Sequence, residues 1–349
     1  EIIRKLESVP RVIYTGCLGY MSFSGNMDLN ILIRTLLRQK NKITFHVGAG
    51  IVADSVPEQE YEETLVKAKA MKECLEELSA PSPPKIFIDG RWVLATEKLL
   101  KSLTPGITKK EGVFETLLVE RGEILFLEQH LRRVRQGAKR FGIEKELLSL
   151  NFLKILKEAL DLNHLSDARL RLMLWQEGQH SHMAIVAQAY QPRPFEKGYQ
   201  VAIYPHPVAN PSGFKEIACQ PFFQAAKYAT RRKVDEVFLF DRKGHLIEGS
   251  RTNVFIVTPQ GLLTPTLQTG CLPGIARHHV IQLAQREGIP VEQNPIELQD
   301  LLAAHEIFVT NSLIAISPVI KIEGKILKDG KPGPVTRRIW EAYHTLRHH

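Results

Sequence analysis

A short proline-rich stretch, Ser79-Ala-Pro-Ser-Pro-Pro84, divides the chain of 349 residues into a small first part and a much larger second part. Proline has no backbone N–H and a fixed φ angle, so neither a helix nor a central strand continues through this stretch. The segment before it, from about Glu58 to Leu78, is charged and amphipathic and predicts a helix. We therefore predict one domain over residues 1–78, a linker over 79–84 and a second folding region from residue 85 to the C-terminus.

The first 78 residues predict several strands followed by the helix just described. A short helical segment opens the chain. Apolar stretches bounded by turn-forming residues then predict three strands, over Val12–Phe23, Leu29–Leu37 and Ile43–Ile51.

The region from residue 85 onward predicts an α+β fold in two parts, separated by a crossing at Gln191-Pro-Arg-Pro194. A small domain is predicted over residues 85–194, and a larger one over residues 195–349. The smaller contains the hairpins Lys85–Asp89 with Arg91–Ala95 and Gly112–Leu118 with Ile124–Leu127, helices through Leu131–Phe141 and Leu147–Leu162, and strands Ala168–Leu174 and Met183–Ala189. The larger contains strands Tyr199–Tyr204, Val237–Phe240, Asn253–Val257 and Leu262–Leu263, and helices Ala276–Arg286 and Glu297–Ala304.

The charge and the cysteines limit the possible function classes. The formal net charge is +8, but the basic clusters lack the aromatic platform or zinc-finger spacing of nucleic-acid binders, so a small polyanionic ligand is expected instead. The longest apolar runs are strand-sized and no signal peptide is recognisable, so no membrane segment is predicted. The four cysteines are widely spaced without a CxxC pair, which favours a reducing cytoplasm and predicts no metal centre.

Four local features have the chemistry to bind an anion or to take part in catalysis. They are the strand-end residue Glu248, the helix start at Gly274 to Ala276, the helix residue Arg133 and the turn Asn311-Ser312. A helix start leaves amide groups free for a phosphate, and a guanidinium binds phosphate through two donors. Each feature alone is more often ordinary, as a solvated side chain, a helix cap or a turn.

Taken together, these features occur in the order found in a known family. The region from about residue 85 to 346 resembles the fold-type IV pyridoxal-phosphate enzymes, which include branched-chain aminotransferases, D-amino-acid aminotransferases and aminodeoxychorismate lyases. The matching motifs are Gly112-Val-Phe-Glu-Thr116, His130-Leu-Arg-Arg133, Asp235-Glu236, Glu248 to Phe255, Leu272-Pro-Gly-Ile-Ala-Arg277 and Thr310-Asn-Ser312. The resemblance implies a two-domain α+β fold like that of D-amino-acid aminotransferase.

The resemblance also implies the cofactor, pyridoxal 5′-phosphate, and the roles of particular residues. The family's lysine that binds the cofactor covalently precedes the Asp-Glu pair at a spacing that falls on Lys215, whereas Lys227 and Lys233 lie too close to that pair. Glu248 would keep the pyridine nitrogen protonated, so that the ring withdraws electrons. The other implied cofactor contacts are Arg133, Asn253, Ile275, Ala276, Asn311 and Ser312.

Two positions depart from the family pattern. Ala276 stands where the family usually has threonine, and the asparagine often found after the lysine is replaced near Ala218. Both departures remove a polar contact and leave the implied catalytic groups in place.

The first 78 residues resemble the C-terminal end of the chorismate-binding enzymes, such as aminodeoxychorismate synthase component I, and the resemblance implies a fragment of an α/β domain. The matching motifs are Arg11 to Tyr20, Met27 to Leu36, Gly48 to Ser55 and Glu60 to Thr64. In that family the counterparts of Arg34 and Gly48–Gly50 hold substrate carboxylates, and those of Glu60 and Glu63 bind magnesium. The segment covers only a small terminal part of the family. We therefore expect no synthase activity and no metal, and interpret the chain as a fragment of a synthase–lyase fusion.

A fusion would place consecutive steps in one polypeptide, which favours the lyase reaction: 4-amino-4-deoxychorismate gives 4-aminobenzoate and pyruvate in folate biosynthesis. The expected substrate is a small dicarboxylate and the expected enzyme a cytoplasmic homodimer. A glutamine amidotransferase is the partner expected of the full-length fusion. Two alternatives remain open: a branched-chain or D-amino-acid aminotransferase on the same fold, and a non-catalytic subunit of a folate-synthesis complex.

Overall fold

The computed structural model describes residues 2–7, 9–40, 42–79, 83–209, 212–327 and 329–347. The chain divides into two compact units, Glu1–Ser82 and Pro83–His349, called the N-terminal and C-terminal units below. The predicted linker falls partly on residues 80–82, which lie outside the described residues, and its first residue, Ser79, is the last residue of a helix. No helix in the described ranges is long and apolar enough to span a lipid bilayer.

The N-terminal unit contains two separate hairpins and a long helix. Its elements are α1 (Ile2–Leu6), β1 (Cys17–Met21), β2 (Met27–Ile31), β3 (Leu36–Gln39), β4 (Lys42–Phe45) and α2 (Pro57–Ser79). Strand β1 pairs antiparallel with β2, and β3 pairs antiparallel with β4. The three predicted strands were therefore too long. Arg34 has a left-handed backbone with φ of 53°, which interrupts the second of them because a strand needs an extended backbone.

The first half of the C-terminal unit is a six-stranded antiparallel sheet. Its elements are β5 (Lys85–Ile88), β6 (Arg91–Leu94), α3 (Glu97–Ser102), β7 (Glu111–Glu120), β8 (Glu123–Ile124), α4 (Leu127–Arg140), α5 (Lys145–Leu148), α6 (Phe152–Leu162), β9 (Ala168–Glu177) and β10 (His180–Ala189). The strand order is β6-β5-β10-β9-β7-β8. Leu170, Leu172 and Leu174 alternate along β9 and share one core with Val134 of α4 and Leu156 of α6, as the two-residue period of a strand requires.

Two predicted elements of this half are wrong in extent. The helix predicted over Leu147–Leu162 is two helices, because the Asn151 side chain accepts a hydrogen bond from the Lys154 N–H at 3.0 Å and starts α6 anew. The strand predicted over Ile124–Leu127 is only the end of β8, because Phe126 has a left-handed φ of 54° and leads directly into α4. The predicted pairing of β9 with β10 is confirmed.

The second half is a nine-stranded mixed sheet. Its elements are β11 (Tyr199–Ile203), α7 (Gln220–Arg232), β12 (Glu236–Phe240), β13 (Leu246–Gly249), β14 (Asn253–Thr258), β15 (Gly261–Thr264), α8 (Ile275–Arg286), β16 (Val291–Gln293), α9 (Leu298–Ala303), β17 (Glu306–Asn311), β18 (Ala315–Ile322), β19 (Lys325–Ile326) and α10 (Pro334–Arg347). The order is β13-β12-β11-β18-β17-β14-β15-β16, with β19 beside β18. Strands β11 and β12 are parallel, and α7 forms the crossover that parallel neighbours need.

Helices α7 and α10 were not predicted from the sequence, and neither were strands β16, β18 and β19. Helix α7 buries only Ala225 and Ala229 fully, so its apolar stripe is made of small side chains and gives a weak helical period. Helix α10 packs Ile339 and Tyr343 into the same core as Val280 of α8. Helix α8 is thereby held against the sheet, and its N-terminal end is fixed in position.

Candidate active site

Lys215 lies in a connecting segment that extends the six-stranded sheet. The Phe114 N–H donates to the Lys215 carbonyl at 2.9 Å, and the Ile217 N–H donates to the Gly112 carbonyl at 2.9 Å. Residues 215–217 are therefore tied to the edge of β7. The Lys215 Nζ lies 4.8 Å from the centroid of the Phe114 ring.

The environment of the Lys215 amine favours its neutral form. Burial lowers its pKa from the ordinary 10.5, and the positive charge of Arg133 lowers it further, while Glu115 and Glu248 act in the opposite direction. A neutral amine is a nucleophile and a base, whereas an ammonium ion is neither. Lys215 is therefore suited to attack an aldehyde and to accept a proton.

Glu248 is a buried carboxyl at the end of β13, 7% exposed. Its Oε2 accepts hydrogen bonds from Asn253 Nδ2 at 3.1 Å and from the Leu272 N–H at 3.2 Å. Burial nevertheless raises its pKa to about 8, because desolvation penalises the charged form more than these two donors stabilise it. The raised pKa favours the protonated carboxyl over the carboxylate near neutral pH, and the charge of Lys215 acts in the opposite direction.

The raised pKa of Glu248 predicts a pH dependence of stability. A carboxyl with a pKa of about 8 when folded and near 4.5 when unfolded binds its proton more tightly in the folded state. The free energy of unfolding is then unaffected below the lower value and falls, by a few kcal/mol, as the pH rises to the upper value. Cofactor-free Glu248→Gln, which cannot ionise, is expected to gain in melting temperature relative to the parent chain between about pH 5 and about pH 8. If the melting temperatures of both proteins change with pH by the same amount, this prediction is wrong.

The turn before α8 presents backbone amides. Gly274 precedes the helix with φ −67° and ψ 140°, and no side chain caps the helix. The N–H groups of Ile275 and Ala276 therefore have no partner within the helix and are available to an anion. A Cβ at Gly274 would lie 2.0 Å from Asn253 Oδ1, so this position requires glycine. Asn253 Nδ2 also donates to the Leu272 carbonyl at 2.9 Å, which links the turn to Glu248.

Arg133 joins helix α4 to this turn. Its Nη1 donates to the Pro273 carbonyl at 3.1 Å, while Nε and Nη2 donate to the two carboxylate oxygens of Glu115 at 2.6 and 2.7 Å. The oxygen that accepts from Nη2 also lies 2.7 Å from Nδ1 of His130. The sequence singled out Arg133 but not Glu115 or His130. The available signal was a glutamate at an inward position of an otherwise apolar strand.

Asn311 organises its own turn and reaches the loop after Glu248. Its Oδ1 accepts from the N–H groups of Leu313 and Ile314, and its Nδ2 donates to the Arg251 carbonyl at 3.0 Å. Ser312 is half-buried in the same turn. The fold thus gathers Lys215, Glu248, Asn253, Arg133 and the start of α8, and connects Asn311 to them through the loop at Arg251. The roles of these residues in cofactor binding stay predictions.

The two glutamates of α2 that the resemblance associates with magnesium have local partners. Glu60 accepts a hydrogen bond from Ser55 Oγ at 2.6 Å, and Glu63 pairs with Lys67 at 2.6 Å. No group of three or more histidine, cysteine, aspartate or glutamate side chains is placed to hold a metal ion in the part of the chain that the structure describes.

An amine and a buried carboxyl beside an open helix start, on this pair of sheets, define a pyridoxal-phosphate enzyme of fold type IV. The chain belongs to the class IV aminotransferase family: residues 112–322 match its model, described as "Amino-transferase class IV". This family depends on pyridoxal 5′-phosphate. The observed groups fit that cofactor, because the unpaired amides of Ile275 and Ala276 suit a phosphate and Lys215 suits an aldehyde.

Individual relatives are similar to this chain over most of its length. The putative branched-chain-amino-acid aminotransferase of Methanocaldococcus jannaschii is 29% identical over 284 residues, which cover 75% of this chain and 96% of the relative. The aminodeoxychorismate lyase of Bacillus subtilis is 28% identical, with 68% of this chain and 86% of the relative covered. A branched-chain aminotransferase from Thermoproteus uzoniensis, solved with norvaline, is 28% identical with a TM-score of 0.65, covering 75% of this chain and 94% of that one.

The N-terminal unit has a different relationship. Residues 1–73 match the model described as "chorismate binding enzyme". Anthranilate synthase component 1 of Aquifex aeolicus is 54% identical over 76 residues, which make up 22% of this chain but only 15% of that protein. The chain therefore joins a class IV aminotransferase domain to a chorismate-binding fragment.

Proposed function

We propose that this chain is a 4-amino-4-deoxychorismate lyase, which forms 4-aminobenzoate and pyruvate in folate biosynthesis. The observation that carries the proposal is the joining of a chorismate-binding segment, residues 1–73, to a class IV aminotransferase domain, residues 112–322. A substrate derived from chorismate relates the two parts of the chain. Similarity to the Bacillus subtilis aminodeoxychorismate lyase supports the same choice.

In the proposed reaction, each group at the site has one task. Pyridoxal 5′-phosphate, when bound, supplies a protonated ring that withdraws electrons from the substrate. Lys215 would hold the cofactor and then, as a free amine, take the proton from the substrate carbon that bears nitrogen; its lowered pKa favours the neutral amine needed for this. Loss of that proton lets the bond from the substrate ring to the enolpyruvyl oxygen break, so that the substrate ring becomes aromatic. The departing enolate takes up the proton held by Lys215 and becomes pyruvate.

The remaining residues hold the reacting groups in place. Glu248 keeps the pyridine nitrogen protonated, and Asn253 fixes the Glu248 carboxyl through its hydrogen bond. Arg133, the amides of Ile275 and Ala276, and the Asn311-Ser312 turn bind the phosphate.

The same proposal includes the setting of the reaction. The substrate carries two carboxylates, which suits a chain with a net charge of +8. Proteins of this family are commonly dimeric, and we propose a cytoplasmic homodimer with a small domain over residues 85–194 and a large domain over 195–349. A glutamine amidotransferase is the partner proposed for a full-length fusion.

The competing activity is amino-group transfer, which similarity to the Methanocaldococcus jannaschii protein favours. A lyase releases pyruvate from 4-amino-4-deoxychorismate without any oxo-acid acceptor, whereas an aminotransferase needs an acceptor for repeated turnover. We expect the cofactor-loaded chain to form pyruvate and 4-aminobenzoate in equal amounts when no acceptor is added. Coupled assays for pyruvate and chromatography of 4-aminobenzoate measure this. Turnover of branched-chain or D-amino acids that requires 2-oxoglutarate, with no pyruvate from the chorismate derivative, would overturn the proposal.

A further inference from the structure

Glu115 is a buried carboxylate that connects strand β7 to two residues of helix α4. It receives two hydrogen bonds from the Arg133 guanidinium, at 2.6 and 2.7 Å, and lies 2.7 Å from His130 Nδ1. The side chains of Glu115 and His130 are each 1% exposed, and that of Arg133 is 14% exposed. Arg133 is therefore the member of this group that reaches the edge of the site.

The pKa shifts within this cluster favour an ionised Glu115 beside a neutral His130. Burial acts to raise the pKa of Glu115, but the charge and hydrogen bonds of Arg133, with a hydrogen bond from His130, bring it down to about 2. An ionised carboxylate only accepts hydrogen bonds, so Nδ1 of His130 carries the proton in this contact. Burial lowers the pKa of His130, although Glu115 opposes the shift. Glu115 is accordingly an anion that accepts hydrogen bonds from two side chains of α4, those of Arg133 and His130.

The same hydrogen bonds fix the direction of the guanidinium. Two of its nitrogens are bound by Glu115, and Nη1 donates to the Pro273 carbonyl at 3.1 Å. Pro273 stands two positions before Ile275, where α8 begins. The guanidinium is thus held near the start of α8 before a ligand binds. Binding therefore does not lose the conformational entropy of ordering this long side chain.

Glu115 itself is poorly suited to contact an anionic ligand. Two negative groups placed in contact repel each other, and its two oxygens are already occupied by Arg133 and His130. Its hydrogen-bonded connection to a phosphate passes through Arg133.

We propose that Glu115 is a positioning residue that holds the Arg133 guanidinium in the orientation required to bind the 5′-phosphate of the cofactor. This inference rests on the proposed function only in assigning the phosphate to Arg133. The alternative is that Glu115 merely ties β7 to α4 and supports the fold. A positioning role affects ligands with a phosphate selectively, whereas a purely structural role affects all ligands of the site.

The test compares the dissociation constants of pyridoxal 5′-phosphate and of pyridoxal, which lacks the phosphate, for the cofactor-free full chain. The variants are Glu115→Gln, Arg133→Met and the double variant. Glutamine keeps the size of the side chain but presents an amide NH2 to the donors of Arg133 and His130. We expect Glu115→Gln to weaken the binding of pyridoxal 5′-phosphate by about 10- to 100-fold, the range known for residues that orient metal ligands. The binding of pyridoxal is expected to change much less, because only the effect of the Glu115 charge on Lys215 reaches that compound. In the Arg133→Met background Glu115→Gln is expected to add no further loss.

The controls separate the possible outcomes. Glu111→Gln, an exposed change at the start of the same strand, is expected to bind both compounds normally. Glu115→Asp keeps the charge but shortens the reach, and is expected to give the same selective loss if Glu115→Gln does not fold. If Glu115→Gln weakens the binding of pyridoxal as much as that of pyridoxal 5′-phosphate, or if the losses of affinity add up in the double variant, the positioning role is wrong. The phosphate role of Arg133 would not be affected by that result. An unchanged dissociation constant of pyridoxal 5′-phosphate in Arg133→Met would overturn this proposal together with the phosphate role of Arg133. The lyase activity would still be tested separately, by the assay for pyruvate.

Discussion

Replacing Lys215 by arginine is expected to abolish covalent attachment of the cofactor and to reduce turnover by about 100- to 10,000-fold, the range that a positioned acid–base group contributes. Arginine keeps its positive charge at every relevant pH, so it cannot supply the neutral amine that the lowered pKa of Lys215 favours. Borohydride reduction followed by peptide mapping identifies the lysine that carries the cofactor. The absorbance of the imine between cofactor and lysine, near the short-wavelength end of visible light, provides a second readout that does not depend on turnover.

Lys227→Arg is the matched control for this experiment. Lys227 lies on α7 with its Nζ 4.5 Å from the centroid of the Phe223 ring, and its replacement is expected to leave labelling and turnover intact. If the reduced cofactor maps to Lys227 or Lys233 instead, the assignment of Lys215 is wrong.

Replacing Glu248 by glutamine is expected to lower kcat by about 100- to 1,000-fold, the size of effect seen when one preorganised electrostatic group is removed. Glutamine retains an oxygen that can accept from Asn253 Nδ2 and the Leu272 N–H, so the turn before α8 is expected to keep its structure. The ionisable carboxyl that would keep the pyridine nitrogen protonated is lost. The measurement is kcat at saturating cofactor, with borohydride labelling of Lys215 as proof that the cofactor is still bound.

The control for this change is Glu341→Gln, the same replacement at an exposed position of α10. It is expected to leave kcat unaltered. A Glu248→Gln variant that binds cofactor and turns over at the parental rate would show that the carboxyl has no electronic role.

The fold was predictable wherever side-chain periodicity is strong. Strand β9 follows from apolar residues at alternate positions and its partner β10 from a continuous apolar run, while helix α8 follows from its apolar positions after Gly274. Local backbone reversals were not predictable, because nothing in the residue types of Arg34 or Phe126 requires their positive φ angles. Such conformations are imposed by the packing of the surrounding chain.

For the site, the sequence supplied the residues but not their partners. Motif order pointed to Lys215, Glu248 and Arg133, and the structure shows that burial and neighbouring charges shift the pKa values of the first two. The ion pair between Arg133 and Glu115 joins residues of a strand and a helix, so it depends on how β7 packs against α4. Sequence spacing alone does not reveal that packing.

The location of Lys215 has a consequence for how ligands affect the C-terminal unit. The main chain at Lys215 is hydrogen-bonded to β7 of the six-stranded sheet, whereas Glu248 belongs to the nine-stranded sheet. A molecule bound to the Lys215 amine at one end and to the Glu248 carboxyl at the other would link the two sheets. If the two residues act as proposed, binding of the cofactor would stabilise both halves together against thermal unfolding.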